Sequence, residues 1–138
     1  MNIFLDANIC LDLLDTTRST SNKSVQWYLE HKDDETLSFY FSADFITTIY
    51  YILTQKRKLN TTDTLDVIDE LSMEINPHYL IHNDFISAKN FFFEQGFSDF
   101  EDLLILQSAS RLDCAKFITN DKELLKLDKY LNIDIIKP

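Results

Sequence analysis

Glycine is almost missing from this chain: of 138 residues, only Gly96 is one. Phosphate-cradling loops need several glycines at fixed spacing, so both nucleotide-binding fingerprints are excluded. Cysteine is scarce as well, and Cys10 and Cys114 stand in apolar surroundings with no C-x-x-C pair. They read as reduced packing residues, with a bridge between them left open. No G-x-S-x-G elbow offers a nucleophilic serine. His78 and His82 stand four apart without a cysteine or a third ligand. Zinc sites need three or four ligands, so these histidines give no metal centre. No apolar run reaches the length of a membrane span, and Met1 leads into a strand rather than a basic signal region. A cytoplasmic address without membrane contact is the expectation.

Basic residues are outnumbered, 13 against 23 acidic ones, for a net charge of −10. That balance opposes nucleic-acid binding by bulk electrostatics, because phosphate contacts normally supply the non-specific affinity. A metal-dependent nuclease is still allowed, since bound divalent cations reverse the local sign. A basic protein partner would suit the same charge. What the chain does have is apolar mass: 45% hydrophobic residues, eleven Phe and six Tyr. That composition argues against disorder, and the length fits one domain spanning 1–138.

The organising stretch is Asn2 to Asn8, N-I-F-L-D-A-N. Ile3, Phe4 and Leu5 form a short apolar run, as in a strand buried on both faces of a parallel sheet. Asp6 follows where such a strand would leave the core, and Asn8 lies two residues on. Further apolar runs predict strands over 37–43, 78–81, 116–120 and 133–136. Helices are predicted over 9–14, about 21–31, 44–55, 61–73, 83–95, 99–112 and 121–127. Val25, Tyr28 and Leu29 should face inward on the second helix. Leu65, Ile68 and Leu71 should do so on the fourth, and Phe85, Ala88, Phe91 and Phe92 on the fifth, with Asn83 as its cap. Strands alternating with helices give an α/β fold, a parallel sheet with helices on both faces.

Three carboxylates invite chemistry. Sites in open parallel sheets form beyond the carboxyl ends of strands, where Asp6 and Asp121 both fall. Asp102 lies in F-S-D-F-E-D, at the start of a nearly all-apolar helix, one turn from Asp99. Each has a plainer role open to it: Asp6, Asp99 and Asp121 can all cap helices. Their combination is the signal, since Asp6, Asp102 and Asp121 can meet over one sheet edge. Mg²⁺ or Mn²⁺ wants such oxygen ligands, and activates water at a phosphodiester.

D-A-N near the start, F-E-D-L-L-I-L-Q-S-A and I-T-N-D together resemble a PIN domain, most of all the toxin ribonucleases of VapBC-type toxin–antitoxin pairs. The likeness covers the whole chain and the order of its motifs. It implies a three-layer α/β/α sandwich around a parallel sheet of about five strands, and an endoribonuclease dependent on Mg²⁺ or Mn²⁺. It implies further an RNA substrate, an antitoxin partner and a homodimer. By residue, the first family acid falls on Asp6, the third on Asp102 and the fourth on Asp121. Asn8 matches a supporting polar position and Asp99 an accessory acid. The family's second acid is usually a Glu in the helix after strand two, but S-A-D-F-I-T-T-I-Y-Y places Thr48 there. Asp44, one turn earlier, is the candidate substitute.

Two alternatives stand beside this. A PIN fold that has lost catalysis would be a binding module, which the absent Glu allows. A receiver-type signalling domain needs a mid-chain phosphoacceptor Asp at a strand end and a late Lys. Here the third strand leads into His82-Asn83-Asp84, and Lys137 sits at the end.

Overall fold

The computed structural model describes residues 1–138. In β1 (Asn2–Leu5), Ile3 and Leu5 point into one helical layer while Phe4 points into the other, and Phe4 and Leu5 are fully buried. Burial of such side chains contributes about 1.5–3 kcal/mol each, so β1 is the seam of both cores. It pairs in parallel with β2 (Ser38–Ser42) on one side and β4 (Cys114–Ile118) on the other. Outward from β2 lies β3 (Asn76–His78), and outward from β4 lies β6 (Ile133–Ile136), both parallel. The expected five parallel strands are therefore present, the third at Asn76–His78 rather than over 78–81. A sixth, β5 (Lys129–Tyr130), adds an antiparallel edge against β6. The resulting order is β3-β2-β1-β4-β6-β5.

One face is covered by α1 (Ala7–Leu14), α2 (Ser21–His31), α3 (Ile46–Tyr51) and α4 (Thr61–Glu74), through Ile9, Tyr28, Ile49, Ile68 and Leu71. The other is covered by α5 (His82–Gln95), α6 (Phe100–Arg111) and α7 (Lys122–Leu125), through Ala88, Leu103, Leu106 and Leu124. The architecture is a three-layer α/β/α sandwich. Strand order reverses between β1 and β4, and open sheets offer a crevice at that switch. No helix is long and apolar enough to cross a membrane.

Several helix faces depart from the apolar pattern. Leu29 and Leu65 are more than half exposed, while Ser21, Ser24 and Thr64 are buried. The serines bond to Asp12 on α1, and the threonine to the Asn60 carbonyl. Satisfied hydroxyls can be buried where hydrocarbon would leave Asp12 unpaired. Phe85 and Phe92 are exposed on α5 rather than turned inward, with Phe93 more so. Asn83 does not cap α5, which begins after Ile81; there the Asp84 carboxylate accepts the Ile81 N–H at 2.9 Å. Asp84 is buried and held by Arg111 Nε and Nη2 at 2.9 and 3.0 Å, tying α5 to α6. Gly96 ends α5 with φ 74°, a conformation that suits a residue without Cβ. The helix predicted over 44–55 is composite: a 3₁₀ turn at Ala43–Phe45, then α3, then π-helical turns over Ile52–Lys56. His78 ends β3 and His82 opens α5, so the two share no strand. Cys10 and Cys114 are both free and buried, and burial pushes the Cys114 thiol up to about 12.

Candidate active site

Asp6 stands at the point where β1 passes into α1. Its N–H still donates to the Ile118 carbonyl at 3.0 Å, extending the sheet one residue, and its side chain caps α1. The carboxylate is buried but well supplied with donors. Oδ1 accepts from the Ala7 N–H at 2.8 Å. Oδ2 accepts from Asn8 Nδ2 at 2.9 Å and Thr119 Oγ1 at 2.7 Å. Burial raises its pKa, and the Asp121 charge adds to that; the bonds from Thr119, Ala7 and Asn8 work in the opposite direction. Asn8 also reaches Thr119 Oγ1 and accepts the Asn120 N–H through its own Oδ1. This makes Asn8 a clasp between the ends of β1 and β4.

Asp121 follows β4 and caps α7, with Oδ1 accepting from the N–H groups of Glu123 and Leu124. Asp99 does the same for α6, its Oδ1 accepting from Glu101 and, more weakly, Asp102. In both, capping occupies one carboxylate oxygen. Asp102 lies in the first turn of α6, partly buried. Burial pushes its pKa up to about 7, and the charges of Asp99, Asp6, Asp121 and Glu101 push in the same direction. Asp6 and Asp121 thus stand at the ends of β1 and β4, and their charges, with that of Asp99, are felt at Asp102.

None of these four has a basic partner. The chain's ion pairs use Asp12, Asp15, Asp84, Glu123 and Asp134 instead. An uncompensated group of carboxylates is costly on its own, and its hard oxygen donors are what Mg²⁺ or Mn²⁺ binds. The donor set fits such an ion. It is not a finished cage, because no group of three His, Cys, Asp or Glu side chains is arranged to hold one directly. Waters would complete the shell, as is usual for Mg²⁺.

Asp44 is not among the charges that raise Asp102. Its Oδ2 accepts from the Leu80 N–H at 3.0 Å and from Ser42 Oγ at 3.3 Å, which ties the end of β2 to the loop before α5. Thr48 is exposed on α3. Arg57, in the basic run after α3, is held by Asp15 at 2.7 Å, which leaves Lys56 and Lys58 as its unpaired members.

Comparison with known proteins places the arrangement. Residues 3–130 match the PIN domain. The chain belongs to the PIN domain family. Ribonuclease VapC1 of Aquifex aeolicus (strain VF5) is 29% identical to it over 130 residues, 91% of this chain and 85% of that protein. Among solved structures, the sarcin-ricin loop cleaving toxin VapC20 of Mycobacterium tuberculosis superposes with TM-score 0.69 at 10% identity, over 96% of this chain and 98% of that one. VapBC2 of Rickettsia felis, bound to a promoter DNA fragment, gives 0.67 at 13% identity, over 99% and 98%. At such identities the structural likeness speaks for the fold. The receiver-type alternative falls with the PIN assignment. Asp84, its nearest phosphoacceptor, is in any case buried against Arg111.

Sequence reasoning on this PIN domain missed Thr119, Asn120 and Asp12. Thr119 and Asn120 are legible in principle, as polar residues closing the apolar strand K-F-I-T-N. Asp12 carries no such mark inside the apolar stretch I-C-L-D-L-L.

Proposed function

We propose that this PIN domain is an endoribonuclease that hydrolyses RNA phosphodiester bonds with Mg²⁺ or Mn²⁺, and that it is the toxin of a toxin–antitoxin pair acting in the cytoplasm. The observation that carries the reading is the unpaired set Asp6, Asp102 and Asp121 at the switch point of a fold related to Ribonuclease VapC1. Asp6, Asp102 and Asp121 would hold the cation, with Asp99 at the border of the cleft. When bound, such an ion lowers the pKa of a water and neutralises charge on the scissile phosphate. The protein's own part is orientation. Ala7, Asn8 and Thr119 fix both oxygens of Asp6. The caps of α6 and α7 fix one oxygen each of Asp99 and Asp121. Lys56 and Lys58 supply positive charge for the RNA backbone on a chain whose net charge repels it. Exposed Tyr79, Ile81, Phe85, Phe92 and Phe93 offer apolar surface for protein contacts, which suits an antitoxin and a homodimer.

The test is direct. Purified protein incubated with a hairpin RNA should cleave it with Mn²⁺ present, stop in excess EDTA, and resume when Mn²⁺ is restored. Intact RNA at saturating Mn²⁺ would leave the non-catalytic binding module as the better reading, and cleavage indifferent to EDTA would remove the metal.

The residue at position 48 bears on strength rather than mechanism. If Thr48 stands at the place where the PIN resemblance implies a Glu, it lowers the negative charge offered to the ion, and affinity follows ligand charge. Thr48→Glu should tighten Mn²⁺ binding several-fold by calorimetry. Asp44→Asn should leave the isotherm within about twofold of wild type, because Leu80 and Ser42 hold its Oδ2 and its charge is not among those that act on Asp102. A weakened Asp44→Asn isotherm would restore Asp44 as the substitute acid.

A further inference from the structure

Asp12 is fully buried, yet no step of the proposed reaction uses it. It lies on α1, the helix capped by Asp6, and four side chains donate to its carboxylate. Arg18 Nε and Thr20 Oγ1 reach Oδ1 at 2.7 and 2.8 Å. Ser24 Oγ and Asn120 Nδ2 reach Oδ2 at 2.6 and 3.0 Å. Three of these partners, Arg18, Thr20 and Ser24, fasten the loop and the start of α2. The fourth comes from the far side of the chain, out of the turn that carries Thr119 and Asp121.

Asn120 is held on every side. Its amide nitrogen also touches Ser24 Oγ at 3.2 Å, and its backbone N–H donates to Asn8 Oδ1 at 3.0 Å. The residue before it, Thr119, is buried and gives its hydroxyl to Asp6 Oδ2; the residue after it, Asp121, donates its N–H to that same hydroxyl oxygen at 3.0 Å. An asparagine at this place has two neighbours whose aim decides the site. Its side chain anchors the turn to Asp12 on α1 and Ser24 on α2, beside the backbone bond to Asn8.

We propose that Asp12 is a positioning residue for the carboxylate site, acting through Asn120 to fix the turn that aims Thr119 at Asp6 and sets Asp121. This rests on the metal-dependent reading above for its consequence, but not for its geometry. The carboxylate is suited to the task because it is acceptor-only and anchored by three other donors, so it has one way to face Asn120. Sites that are held by a supporting layer lose metal affinity by about 10–100-fold when that layer is cut.

Two measurements on the intact chain test it, with Asn120→Ala, Asp12→Asn and, as control, Thr20→Ala, which removes a donor to Asp12 without touching Asn120. In metal-free protein, the amides of Asn120 and Asp121 should exchange hydrogen at least tenfold faster in the first two variants and unchanged in the control. Calorimetric Mn²⁺ affinity should fall about tenfold in each of the first two. The double variant should lose no more than either alone, because both cut one link. If Asp12→Asn fails to fold, Asn120→Ala carries the test alone. Unchanged amide exchange in Asn120→Ala overturns the proposal, as does wild-type Mn²⁺ affinity in that variant or a fully additive double variant. Should wild type itself take up no Mn²⁺, the metal reading fails separately, and amide exchange alone decides whether Asp12 holds the turn.

Discussion

Asp6→Asn and Asp102→Asn should each lower Mn²⁺-dependent RNA cleavage on the order of 10³-fold or more while leaving the fold intact. Asp6 has no room to be replaced by water: it is buried, and every contact to its oxygens is a donor, from Ala7, Asn8 and Thr119. An asparagine keeps the volume and one acceptor oxygen but removes the charge that attracts a cation. Rotation of the Thr119 hydroxyl lets its oxygen accept from the new amide group while Ala7 still donates to the remaining oxygen, so the folding cost is small beside the catalytic one. Asp102 sits at the helix N-terminus with neighbouring negative charges, and its loss relieves repulsion while removing a ligand. Cleavage of a labelled hairpin RNA, with circular dichroism as the fold control, checks both. Wild-type rates from either folded variant would remove that residue from the reaction.

The second large effect is on stability, and its sign is set by Asp102. Its ordinary value is 3.8 and its folded value about 7. The folded state thus binds the proton more tightly than the unfolded one. Its contribution is fully present below about pH 4 and is lost as pH rises through 7. Asp6, also raised, acts in the same direction. Asparagine at 102 does not titrate, so the metal-free variant should match wild type near pH 4 and exceed it at pH 8. After allowance for solvent screening of a partly exposed group, the gain is about 1–2 kcal/mol, or roughly 3–8 °C in Tm. Thermal unfolding in EDTA across that range reads it. A difference independent of pH, or a variant less stable at pH 8, would contradict the burial of Asp102 among neighbouring carboxylates. Adding Mn²⁺ should reverse the order, because an ion that binds only the folded wild type stabilises it by mass action.

Much of the fold was legible because it depends on local pattern. Ile3-Phe4-Leu5 lacks polar alternation because both of its faces are covered, and that signal survives in a run of three residues. Four of the five parallel strands and the seven helices follow from similar runs, whereas β3, the polar Asn76–His78, lies ahead of the apolar run that predicted it. β5 did not, since Lys129–Tyr130 becomes a strand only by pairing with β6, and nothing apolar marks it. The inner face of α2 was misread at Leu29 for a related reason. Ser21 and Ser24 take the buried positions because Asp12, far enough away along the chain to leave no local trace, needs their hydroxyls. In α5, Phe85 and Phe92 are exposed although their spacing is that of a core face; they touch Phe100 edge-on at the surface instead.

The site divides along the same line. Asp6, Asp102 and Asp121 announce themselves by falling at strand ends and a helix start, places where a carboxylate is either a cap or a ligand. Here the three aspartates at element boundaries other than Asp102 are caps with an oxygen to spare, or, for Asp6, a cap whose second oxygen is clasped by Asn8 and Thr119. The supporting residues were hidden, because Thr119 meets Asp6 across 113 positions and Asn120 meets Asp12 across 108. Asp44 has a hidden partner too: one helical turn from Thr48 along the chain, its Oδ2 accepts from the backbone of Leu80, 36 positions on.

The claim at the centre is that Asp6, Asp102 and Asp121 hold a divalent cation between the ends of β1 and β4. Anomalous diffraction from crystals soaked in Mn²⁺ measures that directly. The predicted result is a manganese peak within ligand distance of Asp6 and Asp102, with Asp121 contacting it directly or through one water, and no peak at Asp44. A manganese peak at some other carboxylate, with none between Asp6 and Asp102 at saturating Mn²⁺, would contradict it.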